Sequence, residues 1–351
     1  MILLTPSRNL KKETNIDIVF TNEGVYALRN LLKLNNFSPD ELNGIKGIAY
    51  RKGNEIKINL PERVVPTEKM DIDLPGYAWD LLPYKNKPFD LYRSPMWHAE
   101  YDFEKRSPYA SLQTSLGCVF KCDFCASKIT LALGYRKKSP ERCAEEVKHM
   151  HDLGFKEFML ADDIFTSDNK WAKNVCDEIT KTNIDMPWSC SNGIRVESAD
   201  EDLFKSLRKS GCYRVSFGFE SGNDEVLKLF GKGGRATVDQ AKTAVQTARA
   251  AGIDTNGYFM LGLSPDTEKS MNDTIDFARS IPLDMMKFGV AIAFPGTKMF
   301  NDYVEKGLVR SFDWDEYMIY TDKDLFAHKN LSYKTIQKFF FEFLYTWFTS
   351  G

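Results

Sequence analysis

The sequence has little excess of charge of either sign. Its 47 Lys and Arg residues against 49 Asp and Glu residues leave a formal net charge of -2, so no overall positive field favours nucleic acid or an anionic membrane. Charged residues make up 27% and hydrophobic residues 43% of the chain, which excludes a disordered, collagen-like or coiled-coil protein. A length of 351 residues exceeds one average domain and predicts one large domain with an appendage.

The chain also lacks long apolar runs, and its number of cysteines is odd. The apolar start Met1–Leu4 is too short for the core of a signal peptide. The densest apolar stretch, Phe339–Phe348, is interrupted by Glu342 and Thr346 and falls well short of the ~18 residues that span a bilayer. Seven cysteines without a secretory signal argue against a disulfide framework. We expect a cytoplasmic protein with no transmembrane segment and no nucleic-acid partner.

Prolines divide the chain. Six of the 14 prolines lie between residues 61 and 95, and proline favours extended backbone, so residues 61–104 are predicted to form a linker that wraps a surface. Residues 1–60 show a short α/β pattern. Its predicted elements are strands at Asp17–Phe20, Ile45–Tyr50 and Glu55–Asn59 and a helix at Glu23–Lys33. This is too little chain for an independent α/β domain.

From residue 105 to residue 310 the pattern becomes strand then helix, repeated at about thirty-residue spacing. Strands are expected at residues 110–116, 157–161, 188–191, 213–219, 255–261 and 287–293. Helix starts are indicated by Ser139 before Pro140 and by the capping-box spacings Ser198…Glu201 and Thr237…Gln240. Six βα units predict a parallel sheet, either curled as a partial or complete barrel or left open. In both architectures, ligands bind at the C-terminal ends of the strands.

Three cysteines, Cys118, Cys122 and Cys125, lie in a loop after the first of these strands. Soft thiolates select zinc, copper(I) or iron-sulfur clusters. A structural zinc site needs four ligands, and no fourth stands nearby, since Cys143 is in a predicted helix and the four histidines lack ligand spacing. A [4Fe-4S] cluster held by three cysteines would leave one iron open to a ligand. A non-catalytic metal-binding module, with the cysteine loop as a structural staple, stays open as the alternative.

The spacing C-x3-C-x2-C, with Phe124 before the last cysteine, resembles the signature of the radical SAM superfamily. The resemblance continues through the strand ends at Leu160–Phe165, Trp188–Arg195, Phe217–Gly222, Gly257–Gly262 and Phe294–Thr297. It is strongest to members with an N-terminal cobalamin-binding domain. It implies an α/β fold with a partial (β/α)6 TIM-type barrel at residues 105–310. Residues 1–60 would be a remnant of a Rossmann-like cobalamin-binding domain, and residues 311–351 a C-terminal helical extension.

The resemblance also implies a chemistry. The three cysteines would bind a [4Fe-4S] cluster. S-adenosylmethionine would then chelate the iron that has no cysteine ligand. One electron, from a donor such as flavodoxin or ferredoxin, would cleave S-adenosylmethionine to methionine and a 5′-deoxyadenosyl radical that abstracts a substrate hydrogen. The outcome would be methylation or oxidative rearrangement of a small or lipid-like metabolite. No motif identifies the residues that act on the substrate.

The resemblance assigns the S-adenosylmethionine contacts by position. Asp162 and Asp163 would meet the methionine amino group, although many relatives have Gly-Gly-Glu there. Arg195 would bind the methionine carboxylate and Glu220 the ribose hydroxyls, in keeping with guanidinium and carboxylate chemistry. The adenine would be bordered by Met260, Leu261, Gly262, Pro295 and Gly296, with Phe124 nearby.

Structural alternatives stand beside these assignments. Asp162 and Asp163 could cap the following helix, Arg195 could be a surface salt-bridge partner, and Glu220 could be a solvated acid at a strand end. The other four cysteines, Cys143, Cys176, Cys190 and Cys212, are expected to be buried apolar residues. The helix at Lys334–Phe348 is expected to close an edge or the bottom of the barrel, or to line a hydrophobic substrate cavity or bind a partner subunit.

The cobalamin-domain resemblance is incomplete. Many cobalamin-dependent relatives ligate cobalt with an Asp-x-His-x-x-Gly loop. Here the residues two positions before the four histidines are Met96, Val147, His149 and Phe326. We therefore do not expect this chain as given to bind cobalamin. It is either a natural remnant or a sequence that begins inside a longer gene product.

Overall fold

The computed structural model describes residues 6–86, 108–127, 134–230, 236–318 and 323–349. Its N-terminal unit, residues 6–60, has a three-stranded antiparallel sheet in the order β1-β2-β3. The strands are β1 (Ile18–Phe20), β2 (Ile48–Lys52) and β3 (Glu55–Ile58), and the helices are α1 (Pro6–Lys12), α2 (Val25–Leu31) and α3 (Pro39–Asn43). The predicted strands and helix are confirmed to within a few residues. Because the described strands pair antiparallel, not parallel as in a Rossmann-like fold, the assignment as its remnant stays a prediction.

The described part of the linker, residues 61–86, contains the short helix α4 (Met70–Asp73) and lies against the barrel. Trp79 and Tyr84 pack on Phe155 with ring centroids 4.9 and 4.3 Å away. The Tyr84 hydroxyl donates to the carbonyl of Leu153 at 3.2 Å. Residues 61–86 thus lie along a surface of the barrel, residues 87–104 lie outside the described part of the chain, and the assignment of residues 61–104 as a linker stays a prediction.

The largest element is a six-stranded parallel sheet. Its strands are β4 (Tyr109–Leu112), β7 (Glu157–Leu160), β8 (Trp188–Ile194), β9 (Cys212–Glu220), β10 (Asp254–Leu261) and β11 (Met285–Val290), in the order β11-β10-β9-β8-β7-β4. A small antiparallel hairpin, β5 (Ser115–Leu116) with β6 (Arg136–Lys137), follows β4. Sequential strands lie side by side, as in part of a TIM barrel. The predicted α/β class with six parallel strands is confirmed, and no pairing joins β4 to β11 among the described residues.

Helices follow most strands of this sheet and bury its outer face. They are α5 (Pro140–Asp152), α6 (Asn169–Lys181), α7 (Glu201–Lys209), α8 (Asp224–Leu229), α9 (Val238–Ala250), α10 (Glu268–Ser280) and α11 (Lys298–Glu305). Alternate strand residues point towards them, which is why Phe158, Val215, Phe217 and Phe259 are almost completely buried. The core of the molecule therefore lies between the sheet and this layer of helices.

The predicted helix starts were correct at two positions and wrong at one. The Ser139 side chain accepts from the Arg142 amide at 3.1 Å, and Thr237 forms the expected capping box with Gln240. Helix α7 is capped by Asp200, not Ser198, since the Asp200 carboxylate accepts from the Leu203 amide at 2.7 Å. The Ser198 hydroxyl instead donates to the Arg195 carbonyl at 2.8 Å, so it does not cap the helix.

The C-terminal helix α12 (Tyr333–Thr349) lies against β11. Ile336, Phe339 and Phe343 form its buried face, and the Phe343 ring lies on the Phe288 ring with centroids 3.6 Å apart. Phe341, by contrast, is 62% exposed. The helix therefore packs on the outer face of the sheet at its β11 end, and closure of an edge stays a prediction. No helix within the described ranges is long and apolar enough to cross a membrane.

Candidate functional site

The three loop cysteines line one cleft at the C-terminal ends of β7, β8 and β9. Cys118, Cys122 and Cys125 are all partly exposed and none is in a disulfide. The cleft has a volume of about 130 Å³ and is also lined by Phe120, Phe124, Ser127, Asp163, Ile164, Asn192, Gly193, Ile194, Arg195, Gly218 and Glu220. Its lining of apolar walls with a few polar and charged groups is typical of a small-molecule site.

The start of the cysteine loop is held by two carboxylates at the end of β7. Asp162, only 2% exposed, accepts from the Thr114 amide at 2.6 Å and from the Thr114 and Ser115 hydroxyls at 2.5 Å. Asp163 accepts from the Gly117 amide at 3.0 Å. Burial raises the pKa of Asp162, and these hydrogen bonds oppose that rise. The two carboxylates therefore fix the backbone that leads directly into Cys118.

This arrangement separates the roles of two adjacent residues. Asp163 lines the cleft, whereas Asp162 is not among its lining residues. The alternative that they cap the next helix is wrong, because the cap of α6 is Asp168, which accepts from the Trp171 amide at 3.0 Å. A contact with the methionine amino group stays a prediction, and Asp163 is the better placed of the two.

The tip of the loop contacts two helices, α11 and the end of α8. The Met299 amide, in the first turn of α11, donates to the Asp123 carbonyl at 3.0 Å, and the Lys298 ammonium pairs with the Asp123 carboxylate at 3.0 Å. The Phe124 ring stacks on Phe230 with centroids 5.0 Å apart. These contacts join the cysteine loop to α11, which follows β11, and to the end of α8, which follows β9.

Arg195 and Glu220 both face the cleft. The Arg195 side chain is 10% exposed, lies over the Phe120 ring at 3.9 Å and donates to the Glu197 carboxylate through Nε at 3.2 Å and through Nη2. Glu220 is 9% exposed and has a φ of 64°, which is unusual for a residue other than glycine and is a feature of functional sites. Arg195 thus forms a salt bridge but not on an open surface, and Glu220 is not a solvated acid.

The residues predicted to border the adenine are placed differently. Met260 packs in the same apolar cluster as Phe124, and Leu261 is completely buried. Gly262 lines a separate cavity beside α12, where an added Cβ would lie 2.8 Å from Ile336. Pro295 and Gly296 precede α11, to which the loop tip is fastened. None of these five lines the cysteine cleft, and their contact with adenine stays a prediction.

Sequence reasoning missed several residues of the cleft wall. They are Phe120, Ser127, Ile164, Asn192, Gly193, Ile194 and Gly218. Most stand inside the motif segments already singled out, so proximity to Cys118, Arg195 and Glu220 along the chain was the signal that could have found them. Gly193 has a φ of 116°, a conformation that favours glycine.

The thiols separate into two classes. Cys143, Cys176, Cys190 and Cys212 are buried, and burial raises the pKa of each, that of Cys176 to about 12. Their burial confirms the interpretation of these four as apolar core residues. Burial also raises the pKa of Cys118, which is nevertheless partly exposed in the cleft.

The donor chemistry of the cleft fits an iron-sulfur cluster. Three soft thiols on one loop, none in a disulfide, reach a common space with an arginine and a glutamate. Across the described ranges, no three Cys, His, Asp or Glu side chains already stand close enough together to hold a single metal ion. The fit therefore rests on the donor set and its shared cleft.

Comparison with known proteins agrees with this chemistry. Residues 112–278 match the family model of the radical SAM superfamily. An uncharacterized methyltransferase of Pyrococcus horikoshii is 30% identical over 317 residues, which are 90% of this chain and 64% of that protein. An anaerobic magnesium-protoporphyrin IX monomethyl ester cyclase of Rubrivivax gelatinosus is 27% identical over 318 residues, 89% of this chain and 53% of that protein. The chain thus spans between half and two thirds of these relatives.

A solved structure has a similar fold. The radical S-adenosylmethionine methyltransferase TsrM of Kitasatospora setae, with tryptophan and an S-adenosylmethionine analogue bound, has a TM-score of 0.66 at 17% identity. The match covers 86% of this chain and 56% of TsrM. TsrM has also been solved with cobalamin and a [4Fe-4S] cluster bound.

Proposed function

Since the chain belongs to the radical SAM superfamily, we propose that Cys118, Cys122 and Cys125 hold a [4Fe-4S] cluster and that the cleft beside them binds S-adenosylmethionine. The observation that carries this proposal is the shared cleft. Three partly exposed thiols, Arg195 and Glu220 come from separate segments of the chain and line one space. No observation favours the alternative of a non-catalytic module.

The chain's own residues would bind and orient the cofactor. Arg195 presents a guanidinium that lies over Phe120 and donates to Glu197 through both Nε and Nη2, so Glu197 orients it and its Nη1 edge would meet the methionine carboxylate. Glu220 is held at the end of β9 and would accept hydrogen bonds from the ribose hydroxyls. Asp163 would accept from the methionine amino group. When bound, the reduced cluster supplies the electron that cleaves S-adenosylmethionine to methionine and a 5′-deoxyadenosyl radical.

We propose methylation or oxidative rearrangement of a small or lipid-like metabolite as the reaction, in the cytoplasm, with the electron supplied by a flavodoxin or ferredoxin. Two observations support a reaction of this class. The names of two similar proteins specify methyltransferases and that of a third a cyclase. The cleft also has apolar walls formed by Phe120, Phe124 and Ile164 beside its charged groups.

Cobalamin is a separate question, because TsrM binds it. For this chain as given we propose no tight cobalamin binding. The support is the lack of an Asp-x-His-x-x-Gly sequence. Methyl transfer by this chain as given would then have to proceed without protein-bound cobalt.

The test is anaerobic reconstitution with iron and sulfide, with iron, sulfide and cobalt measured after adding cobalamin in a parallel sample. We expect four irons per chain, a brown protein, S-adenosylmethionine cleavage upon reduction, and no stoichiometric cobalt. Cys118→Ala, Cys122→Ala and Cys125→Ala should each abolish cluster binding. The matched control is Cys143→Ala, a buried thiol outside the cleft, which should retain four irons. A colourless zinc protein, or loss of the cluster in Cys143→Ala alone, would contradict the proposal.

A further inference from the structure

The cysteine loop is closed at its base by the β5–β6 hairpin. Leu116 and Arg136 are directly paired in the register of that hairpin, and the Lys138 amide donates to the Thr114 carbonyl at 2.9 Å. The two ends of the loop, residues 117 and 135, therefore lie next to each other. Contacts that hold this hairpin in place also fix the positions of both ends of the loop.

Arg136 connects the far end of this loop to the N-terminal unit. Its guanidinium donates to the Glu23 carboxylate and to the Val65 carbonyl at 2.7 Å, and the Val65 amide donates to the same carboxylate at 3.1 Å. The Arg136 and Glu23 side chains are 9% and 5% exposed. A buried ion pair of this kind is costly to break from one side, because the remaining charge loses its partner.

Apolar packing reinforces the same junction. Tyr26 of α2, Val65 and Met70 of the linker, and Leu116 of β5 form one buried cluster. Leu116 is followed directly by Gly117 and Cys118. The N-terminal unit thus touches the barrel at the strand from which the first cysteine emerges.

We infer that Glu23 is a positioning residue for the cysteine loop, which it holds through Arg136, and that the N-terminal unit is part of the structure that presents the three thiols. Asp162 and Asp163 hold the start of the loop, and Glu23 holds its far end. A loop held at both ends loses less conformational freedom when its thiols gather on a metal centre. The inference rests on the proposed function only because the cluster is the group that the loop would hold.

The first measurement uses the apo protein. In the full chain, Glu23→Gln keeps the shape of the side chain but removes its charge, so amides of residues 112–118 and 134–138 should exchange hydrogen about tenfold faster or more. After reconstitution, a chelator should remove iron about 10 to 100 times faster than from the wild type, as for other residues that orient metal ligands. Both readouts report the loop, and the first needs no cluster.

The matched control is Asp254→Asn. It removes a carboxylate from the buried Arg214, 3.4 Å away, at the opposite end of the barrel. It should leave both the loop exchange and the iron-release rate at wild-type values. Equal acceleration in Asp254→Asn and Glu23→Gln would indicate general destabilisation and overturn the inference.

A second variant covers the case in which Glu23→Gln does not fold. The double variant Glu23→Leu/Arg136→Met replaces the ion pair with apolar groups of similar size, a change that many folds tolerate. It should fold but melt somewhat below the wild type, because the buried Val65 amide and carbonyl lose their partners, and its amide exchange should be faster in residues 112–118 and 134–138. Wild-type exchange in the folded variants would overturn the inference. A wild-type protein that takes up no iron would instead contradict the proposed function, while the apo exchange comparison would still decide the role of Glu23.

Discussion

Replacing Asp162 by Ala and by Asn should have different consequences. The wild-type carboxylate accepts three hydrogen bonds from the amide and hydroxyl of Thr114 and the hydroxyl of Ser115, all in a buried region. Alanine would leave the Thr114 amide and the Thr114 and Ser115 hydroxyls without this acceptor. An unpaired buried polar group costs about 1 to 3 kcal/mol. Asp162→Ala should therefore lower the free energy of unfolding by about 3 kcal/mol.

Asparagine should be tolerated much better. Its side-chain carbonyl can accept from the Thr114 amide, and its amide can donate to the two hydroxyls after they rotate. It also removes the charge whose burial raises the pKa of Asp162. We expect Asp162→Asn to lower the free energy of unfolding by no more than about 1 kcal/mol.

Thermal melting and iron content are the assays for this pair of variants. With an unfolding entropy of about 2.1 cal/mol/K per residue, 3 kcal/mol corresponds to a fall of about 4 °C for a chain of this length. The Ala variant should also retain less iron after reconstitution, because the backbone before Cys118 is no longer held. The reasoning is refuted if Asp162→Ala melts with the wild type, or if Asp162→Asn is as damaging as Asp162→Ala.

The comparison of the wild type with Asp162→Asn also predicts how stability depends on pH. A carboxyl group whose pKa is raised above its ordinary value of 3.8 on folding contributes stability that is fully present below its unfolded pKa. That contribution is lost as the pH rises through the folded pKa. Asparagine does not ionise, so the stability advantage of the wild type over Asp162→Asn should shrink as the pH rises above about 4. An advantage that grows over this range would show that the hydrogen bonds outweigh burial.

Two further predictions concern the cofactor contacts and the C-terminal helix. Arg195→Ala and Glu220→Gln should each weaken S-adenosylmethionine binding to the reconstituted protein by about tenfold to a hundredfold at unchanged iron content, and unchanged affinity in both would remove them from the site. Phe343→Ala should lower the free energy of unfolding by about 3 to 5 kcal/mol, because its ring is buried on Phe288. Phe341→Ala, at a position 62% exposed, should change the free energy of unfolding by no more than about 0.5 kcal/mol. If chemical denaturation shows equal losses of stability in the two variants, the packing of α12 on β11 would be contradicted.

Much of the secondary structure could be predicted because its signals are local. The strand positions follow from the alternation of apolar residues, and the caps at Ser139 and Thr237 depend on side chains three residues apart. The failure at Ser198 has a local cause as well. Asp200 stands two residues later and offers a competing carboxylate, and only the hydrogen bond it makes shows which one caps α7.

The candidate site was predicted less completely. Asp162 and Asp163 look equivalent in the sequence, yet Asp162 is buried beneath the loop and Asp163 lies on the cleft wall. Gly218 and Gly262 both lie near strand ends, but they border different cavities. These differences depend on the direction in which each turn leaves the sheet, which the residue types alone do not specify.

The sequence by itself determined the donor chemistry of the loop and the order of the βα units, since both depend on residues a few positions apart. Only the tertiary structure decided which side chains surround the thiols and what holds their loop. Glu23 and Arg136 are 113 residues apart, and no local pattern marks them as partners. Such a pair forms because the chain path brings two charges together in a buried space, where each has the other as its counter-charge.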